Sequence, residues 1–157
     1  MQADCTFCQI VSGELPADYV DEDERTVAFM DINPATPGHL LVVPRRHTPD
    51  VMSASREDWL AVAATARRMA RWATGAFKAG GVDLVQANSD GIAGAQTIFH
   101  LHVHVVPRYH DDLLGQWWMQ QTADPAEITE AARRLVEFGR RDAEGVRPEG
   151  VRPAAWA

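Results

Sequence analysis

The chain has 157 residues, 46% of them hydrophobic, and a formal net charge of −7 at pH 7. That length fits one domain whose core buries about two thirds of the unfolded surface, and acidic residues spread along the chain without a long basic run exclude a protein that coats nucleic acid. No stretch reaches the length of a membrane span, and Met1 to Cys8 lack the basic and apolar regions of a secretion signal, so a cytoplasmic protein with reduced Cys5 and Cys8 is expected.

Cys5 to Ser12 reads as a short helix stopped by Gly13, whose tolerance of positive φ suits a C-terminal cap. Pro16 then keeps the chain out of helix. Extended segments follow at Tyr19 to Asp21, Thr26 to Ile32 and His39 to Val43, with Asn33, Pro34 and Gly38 supplying the turn chemistry between them. From Ser55, with Asp58 at the far end of a capping box, Trp59, Val62, Ala66, Met69, Ala73 and Phe77 recur at helical spacing. They predict one long amphipathic helix ended by Gly80 and Gly81. Asp83 to Ala87 reads as a strand, and a polar, glycine-rich connection from Asn88 to Gln96 leads out of it.

Ile98 to Val106 read Ile-Phe-His-Leu-His-Val-His-Val-Val. In a strand, side chains alternate, so His100, His102 and His104 share one face and Leu101, Val103 and Val105 the other. At a rise of about 3.3 Å per residue the imidazoles stand roughly 6 to 7 Å apart, near enough for all three to address one metal-and-phosphate-sized site. A lone strand histidine is ordinarily a solvated or hydrogen-bonded residue. Three in strict alternation gain little from packing, and each needs partners for its ring nitrogens when buried, so the row points to chemistry. Pro107 marks its end.

A further helix begins at Asp124, with Pro125 at its first position and Glu127 three residues after the cap, and runs to about Arg140. Residues 1–140 are therefore expected to form the domain. Residues 141–157 read as an extended tail in which Glu-Gly-Val-Arg-Pro occurs twice, too few copies for a solenoid.

Cys5 and Cys8 have the spacing of half a zinc site, two thiolates from one tight turn, and His47 and His100 are the choices for the other two ligands. A redox pair is disfavoured because no strand precedes it to build a thioredoxin-like unit. Plain reduced cysteines are the remaining alternative.

These residues, with Asp31-Ile32, Gly38-His39-Leu40 and Gly94-Ala95-Gln96-Thr97, make residues 5 to about 110 resemble the histidine triad (HIT) family of nucleotide hydrolases and transferases. The signature of His, apolar, His, apolar, His and two apolar residues is matched by His100 to Val106. The resemblance implies an α+β, HIT-like fold with a five-stranded antiparallel sheet, one long helix and one short or C-terminal helix, and a homodimer with a continuous sheet.

It also implies roles. His102 is the nucleophile that forms a nucleotidyl-histidine at the α-phosphorus, and His104 and Gln96 contact phosphate. Asp31, with Ile32 beside it in the nucleotide-binding set, accepts from the ribose hydroxyls, and Asn88 and Thr97 act on the phosphate or leaving-group side. In zinc-bearing relatives, including the galactose-1-phosphate uridylyltransferase branch, the metal ligands match Cys5, Cys8, His47 and His100. That closed shell makes the zinc structural and leaves no position for an activated water.

Neutral imidazole, with a reference pKa of about 6.5, is available at pH 7 as the nucleophile. Ala95 departs from the Gly-Gln pair of many Hint-branch members and limits backbone approach to phosphate. Trp117 and Trp118 fall where family members diverge, and serve specificity or packing.

The expected activity is Hint-like hydrolysis or transfer at the α-phosphate of nucleoside phosphoramidates or related nucleotidyl conjugates. The alternatives are dinucleoside polyphosphate hydrolysis and a nucleotide-binding regulatory module with little turnover. A ligand-free zinc scaffold would leave Asp31, Asn88, Gln96, His102 and His104 without a job.

Overall fold

In the computed structural model, residues 2, 4–89, 96–112 and 123–144 are described. Three helices, α1 (Thr6–Ser12), α2 (Arg56–Phe77) and α3 (Pro125–Ala143), accompany five strands: β1 (Tyr19–Glu22), β2 (Thr26–Met30), β3 (Leu40–Pro44), β4 (Gly81–Val85) and β5 (Val103–Arg108). The strands form one sheet in the order β1-β2-β3-β5-β4, and every neighbouring pair is antiparallel. This is the expected α+β architecture.

All five residues of β2 and of β3 are buried, because both faces of the sheet are covered. Alternation sorts their side chains between two cores. Ala28, Met30, Leu40 and Val42 pack with Val103 and Val105 against Val62, Met69 and Leu135 of α2 and α3. Val27, Phe29, Leu41 and Val43 meet Phe7, Cys8 and Ile10 of α1 on the other side. Each fully buried aliphatic side chain contributes roughly 1.5–3 kcal/mol. His104 pairs with Leu41 across β3 and β5, so the histidine face is the α1 face.

The helix ends follow local chemistry. Ser55 caps α2, accepting from the Asp58 N–H at 3.1 Å while its hydroxyl donates to the Asp58 carboxylate at 2.8 Å, and Arg46 bridges the same carboxylate. The expected stop at Gly80 and Gly81 moves upstream: Lys78 takes the left-handed conformation at φ 53° and its N–H caps Thr74. Asp124 caps α3 with Pro125 in its first turn, and the helix continues past Arg140 to Ala143. The two helices approach through paired notches, since a Cβ at Gly75 would lie 2.1 Å from the Phe138 ring and one at Gly139 would lie 2.4 Å from Trp72.

Two features of β5 differ from expectation. The ladder begins at Val103, so His102 lies just ahead of the strand and His100 sits in a bend, its N–H donating to the Ile98 carbonyl. Pro107 sits inside the strand, opposite Val82 of β4. It is tolerated there because pairing with β3 stops at Val105, and the Pro107 carbonyl accepts instead from the Thr36 hydroxyl at 2.6 Å.

Candidate functional site

Two constellations flank the histidine row. In the first, Cys5 is the N-cap of α1 and Cys8 lies in its first turn. The Cys5 and Cys8 sulfurs lie 3.5 and 3.7 Å from His100 Nδ1, and the Cys8 sulfur lies 3.4 Å from His47 Nδ1. All four ligand atoms fall within 4.8 Å of one another. Tetrahedral zinc with Zn–S of about 2.3 Å and Zn–N of about 2.0 Å separates S and N ligands by about 3.5 Å, so the donor set and spacing fit that ion. The outer partner fits as well: His100 Nε2–H donates to the Pro44 carbonyl at 2.9 Å, leaving Nδ1 as the ligating atom. Burial holds the His100 pKa down to about 4, in the neutral, ligating form, and burial pushes the Cys5 thiol up.

The second constellation is built around proton positions. The Ala35 N–H donates to His39 Nδ1 at 3.0 Å, so the proton of neutral His39 is on Nε2. That atom is 2.9 Å from His104 Nδ1, which must accept, and neutral His104 therefore carries its proton on Nε2. Burial keeps both rings neutral, His39 at about 4 and His104 at about 3. Asp31 Oδ2 stands 3.5 Å from His39 Nε2 and 3.7 Å from His104 Nδ1, while its Oδ1 accepts from the Asn33 N–H at 2.8 Å.

Asp31, His39 and His104 also have the mutual spacing of metal ligands. The Ala35 N–H argues against a cation there. A ligating His39 Nε2 would need its proton on Nδ1, facing that donor rather than an acceptor.

His102 joins the two constellations. Its Nδ1–H donates to the His100 carbonyl at 2.7 Å, which leaves the lone pair on Nε2. Burial lowers its pKa and favours this neutral form. Its ring lies 5.0 Å from that of His104 and 5.3 Å from that of Phe7.

Beside these rings opens a cavity of about 530 Å³, whose lining includes Asp31, Ile32, Thr97, His102 and His104. His102 and His104 face the cavity, whereas His100 is fully buried among the cysteines and His47. The chain turns from the metal cluster to the cavity within this short stretch, so one period-2 row serves both.

Gln96 and Asn88 are placed elsewhere. Gln96 is 2% exposed; its amide donates to the Pro49 carbonyl at 2.6 Å and its oxygen accepts from the Ser89 N–H at 3.2 Å. Asn88 accepts from the Val51 N–H at 2.9 Å and exchanges bonds with Gln86. Both pin the turn after β3 to the chain leaving β4. His39 carried no expected role beyond its Gly38-His39-Leu40 context, and the structure puts it at the base of the proton chain. Trp117, Trp118, Gly94, Ala95 and the repeated pentapeptide, apart from its first residue Glu144, lie outside the described residues.

The model of the HIT domain matches residues 12–111. An uncharacterized HIT-like protein of Mycobacterium tuberculosis is 41% identical over 111 residues, covering 71% of this chain and 76% of that protein. The adenylylsulfatase HINT3 of Arabidopsis thaliana is 31% identical over 144 residues, 90% of this chain and 70% of that one. Among solved structures, a zinc-bound histidine triad family protein of Mycobacterium smegmatis superposes with a TM-score of 0.80 at 35% identity, over 90% of this chain and 97% of that one.

Proposed function

The chain belongs to the HIT domain family, and from that premise we propose that it is a Hint-like, cytoplasmic nucleotide hydrolase or nucleotidyltransferase acting at the α-phosphate of nucleoside phosphoramidates or related nucleotidyl conjugates. The observation that carries this reading is the His102 Nδ1–H bond to the His100 carbonyl, which holds the Nε2 lone pair in the nucleophilic tautomer beside the cavity.

In the proposed reaction, His102 Nε2 bonds to the α-phosphorus as the bond to the leaving amine breaks, and the departing nitrogen takes a proton from solvent. Water then attacks the nucleotidyl-histidine, His102 leaves with its electron pair, and nucleoside monophosphate and a proton are released. His104 Nε2–H and the Thr97 hydroxyl stabilise charge developing on the phosphoryl oxygens. Asp31 accepts from ribose hydroxyls with Ile32 alongside. Gln96 and Asn88 reach phosphate only if ligand binding rearranges their loop. Cys5, Cys8, His47 and His100 would hold a zinc ion that supplies structural cross-linking of α1 to the turn after β3 and to the chain leading into β5.

Charge favours a singly charged conjugate over a dinucleoside polyphosphate. The described lining of the cavity contains one carboxylate, Asp31, and no Lys or Arg, and residues 90–95 and 113–122 also contain neither. Each further phosphate would bring a negative charge without a cationic side chain to meet it. An adenylyl sulfate, the substrate class in the Arabidopsis relative's name, would pass through the same intermediate.

We further propose a homodimer joined along β4, an edge of the sheet. A panel of an adenosine phosphoramidate, adenylyl sulfate and a diadenosine polyphosphate, compared by kcat/KM, tests the substrate reading. The phosphoramidate should lead, and preference for the polyphosphate overturns it. Nucleotide binding without turnover of any member would favour the regulatory alternative.

A further inference from the structure

The CxxC segment and the nucleophile share three physical links. The first is His100, whose Nδ1 stands among the cysteine sulfurs while its carbonyl accepts the His102 Nδ1–H at 2.7 Å. The second is Phe7, whose ring meets His100 at 6.0 Å and His102 at 5.3 Å, edge to face in both cases. The third is the cavity wall, because Thr6 and Phe7, the two residues between Cys5 and Cys8, both line it. An isolated helix as short as α1, seven residues, has no stability of its own and depends on its attachments.

We infer that occupancy of the Cys5, Cys8, His47 and His100 cluster by a metal ion sets the position and tautomer of His102, so that metal retention and nucleotide binding form one linked equilibrium. The inference rests on the proposed nucleotide site. His100 is a positioning residue, acting on substrate only through His102. Linkage is reciprocal: the factor by which the metal tightens nucleotide binding is the factor by which nucleotide tightens the metal.

The experiment compares full-length protein carrying its metal with the same protein stripped by a chelator. Ring ¹⁵N spectra read the His102 tautomer without nucleotide, and calorimetry reads the affinity for AMP. The loaded protein should show His102 protonated at Nδ1 alone. The stripped protein should show mixed tautomers and bind AMP about tenfold more weakly, and saturating AMP should slow zinc transfer to a chromophoric chelator by a similar factor.

If stripping unfolds the chain, His47→Gln replaces it, since His47 is not among the described lining of the cavity and its loss weakens the cluster while leaving both cysteines and His100. An unchanged His102 signal, or equal AMP affinity in folded loaded and depleted forms, overturns the inference. AMP binding to neither form instead sinks the nucleotide reading, and the coupling then stands or falls on the His102 signal alone.

Discussion

His39 Nε2 and His104 Nδ1 lie 2.9 Å apart, and because the Ala35 N–H occupies the far side of His39, the proton between the rings belongs to His39. His104 consequently presents an N–H, not a lone pair, at its other nitrogen. Without His39, the opposite His104 tautomer becomes accessible and a donor to phosphate is lost for part of the time. His39→Ala should lower kcat about ten- to hundredfold with little change in AMP affinity, as measured by steady-state kinetics and calorimetry. An unchanged kcat would contradict the proton chain.

The same burial makes stability depend on pH. The folded His39 pKa of about 4 lies below its ordinary 6.5, so between those values the unfolded chain binds the extra proton. Stability is therefore fully present above about pH 6.5 and falls as pH drops toward 4, by at most about 3 kcal/mol from this residue. His104, lowered to about 3, acts in the same direction. Urea unfolding from pH 7 to 4.5 should show a shallower loss in His39→Ala than in wild type, although that variant starts less stable.

His102→Ala should abolish turnover, with kcat down by at least about a thousandfold, while AMP affinity stays within a few-fold, because the change removes the chemical route and few ground-state contacts. Rapid quench followed by intact mass measurement should find a nucleoside monophosphate adduct on wild type and none on the variant. An adduct mapped to His104 or His110 would move the nucleophile.

Protein purified without chelator should contain one zinc per chain by elemental analysis. Cys5→Ser should lose it and unfold at a temperature at least several degrees lower, as metal binding and folding are coupled. Full stability without metal would leave the four residues as an ordinary buried cluster.

Among the described residues β4 is an outer strand of the sheet, and it carries Leu84, which is 50% exposed. Light scattering at micromolar concentration should give twice the chain mass, and Leu84→Lys should give the monomer. A monomeric wild type would refute the continuous-sheet dimer.

Period-2 alternation made the common side of His102 and His104 legible from sequence, and helical spacing with a Ser55 cap made α2 legible. The CxxC spacing announced two ligands of a cluster that folding completes with His47 and His100. The departure of His100 from the strand was not legible, because it depends on where α1 packs across the sheet. His39 stayed silent for a related reason: its meaning comes from Ala35 on one side and His104, 65 residues away, on the other. The stop of α2 was misplaced by two residues because lysine rarely adopts the left-handed conformation, which costs it about 1 kcal/mol.

Lys78 is also the chain's only lysine, and it is exposed at the end of α2. Its neighbour Phe77 fills the space beside Gly38, where an added Cβ would meet the ring at 2.8 Å, and Gly38 immediately precedes His39. An amine-directed fluorophore therefore has a single side-chain target, positioned to report on the turn that orients the proton chain without introducing a cysteine that would compete with Cys5 and Cys8.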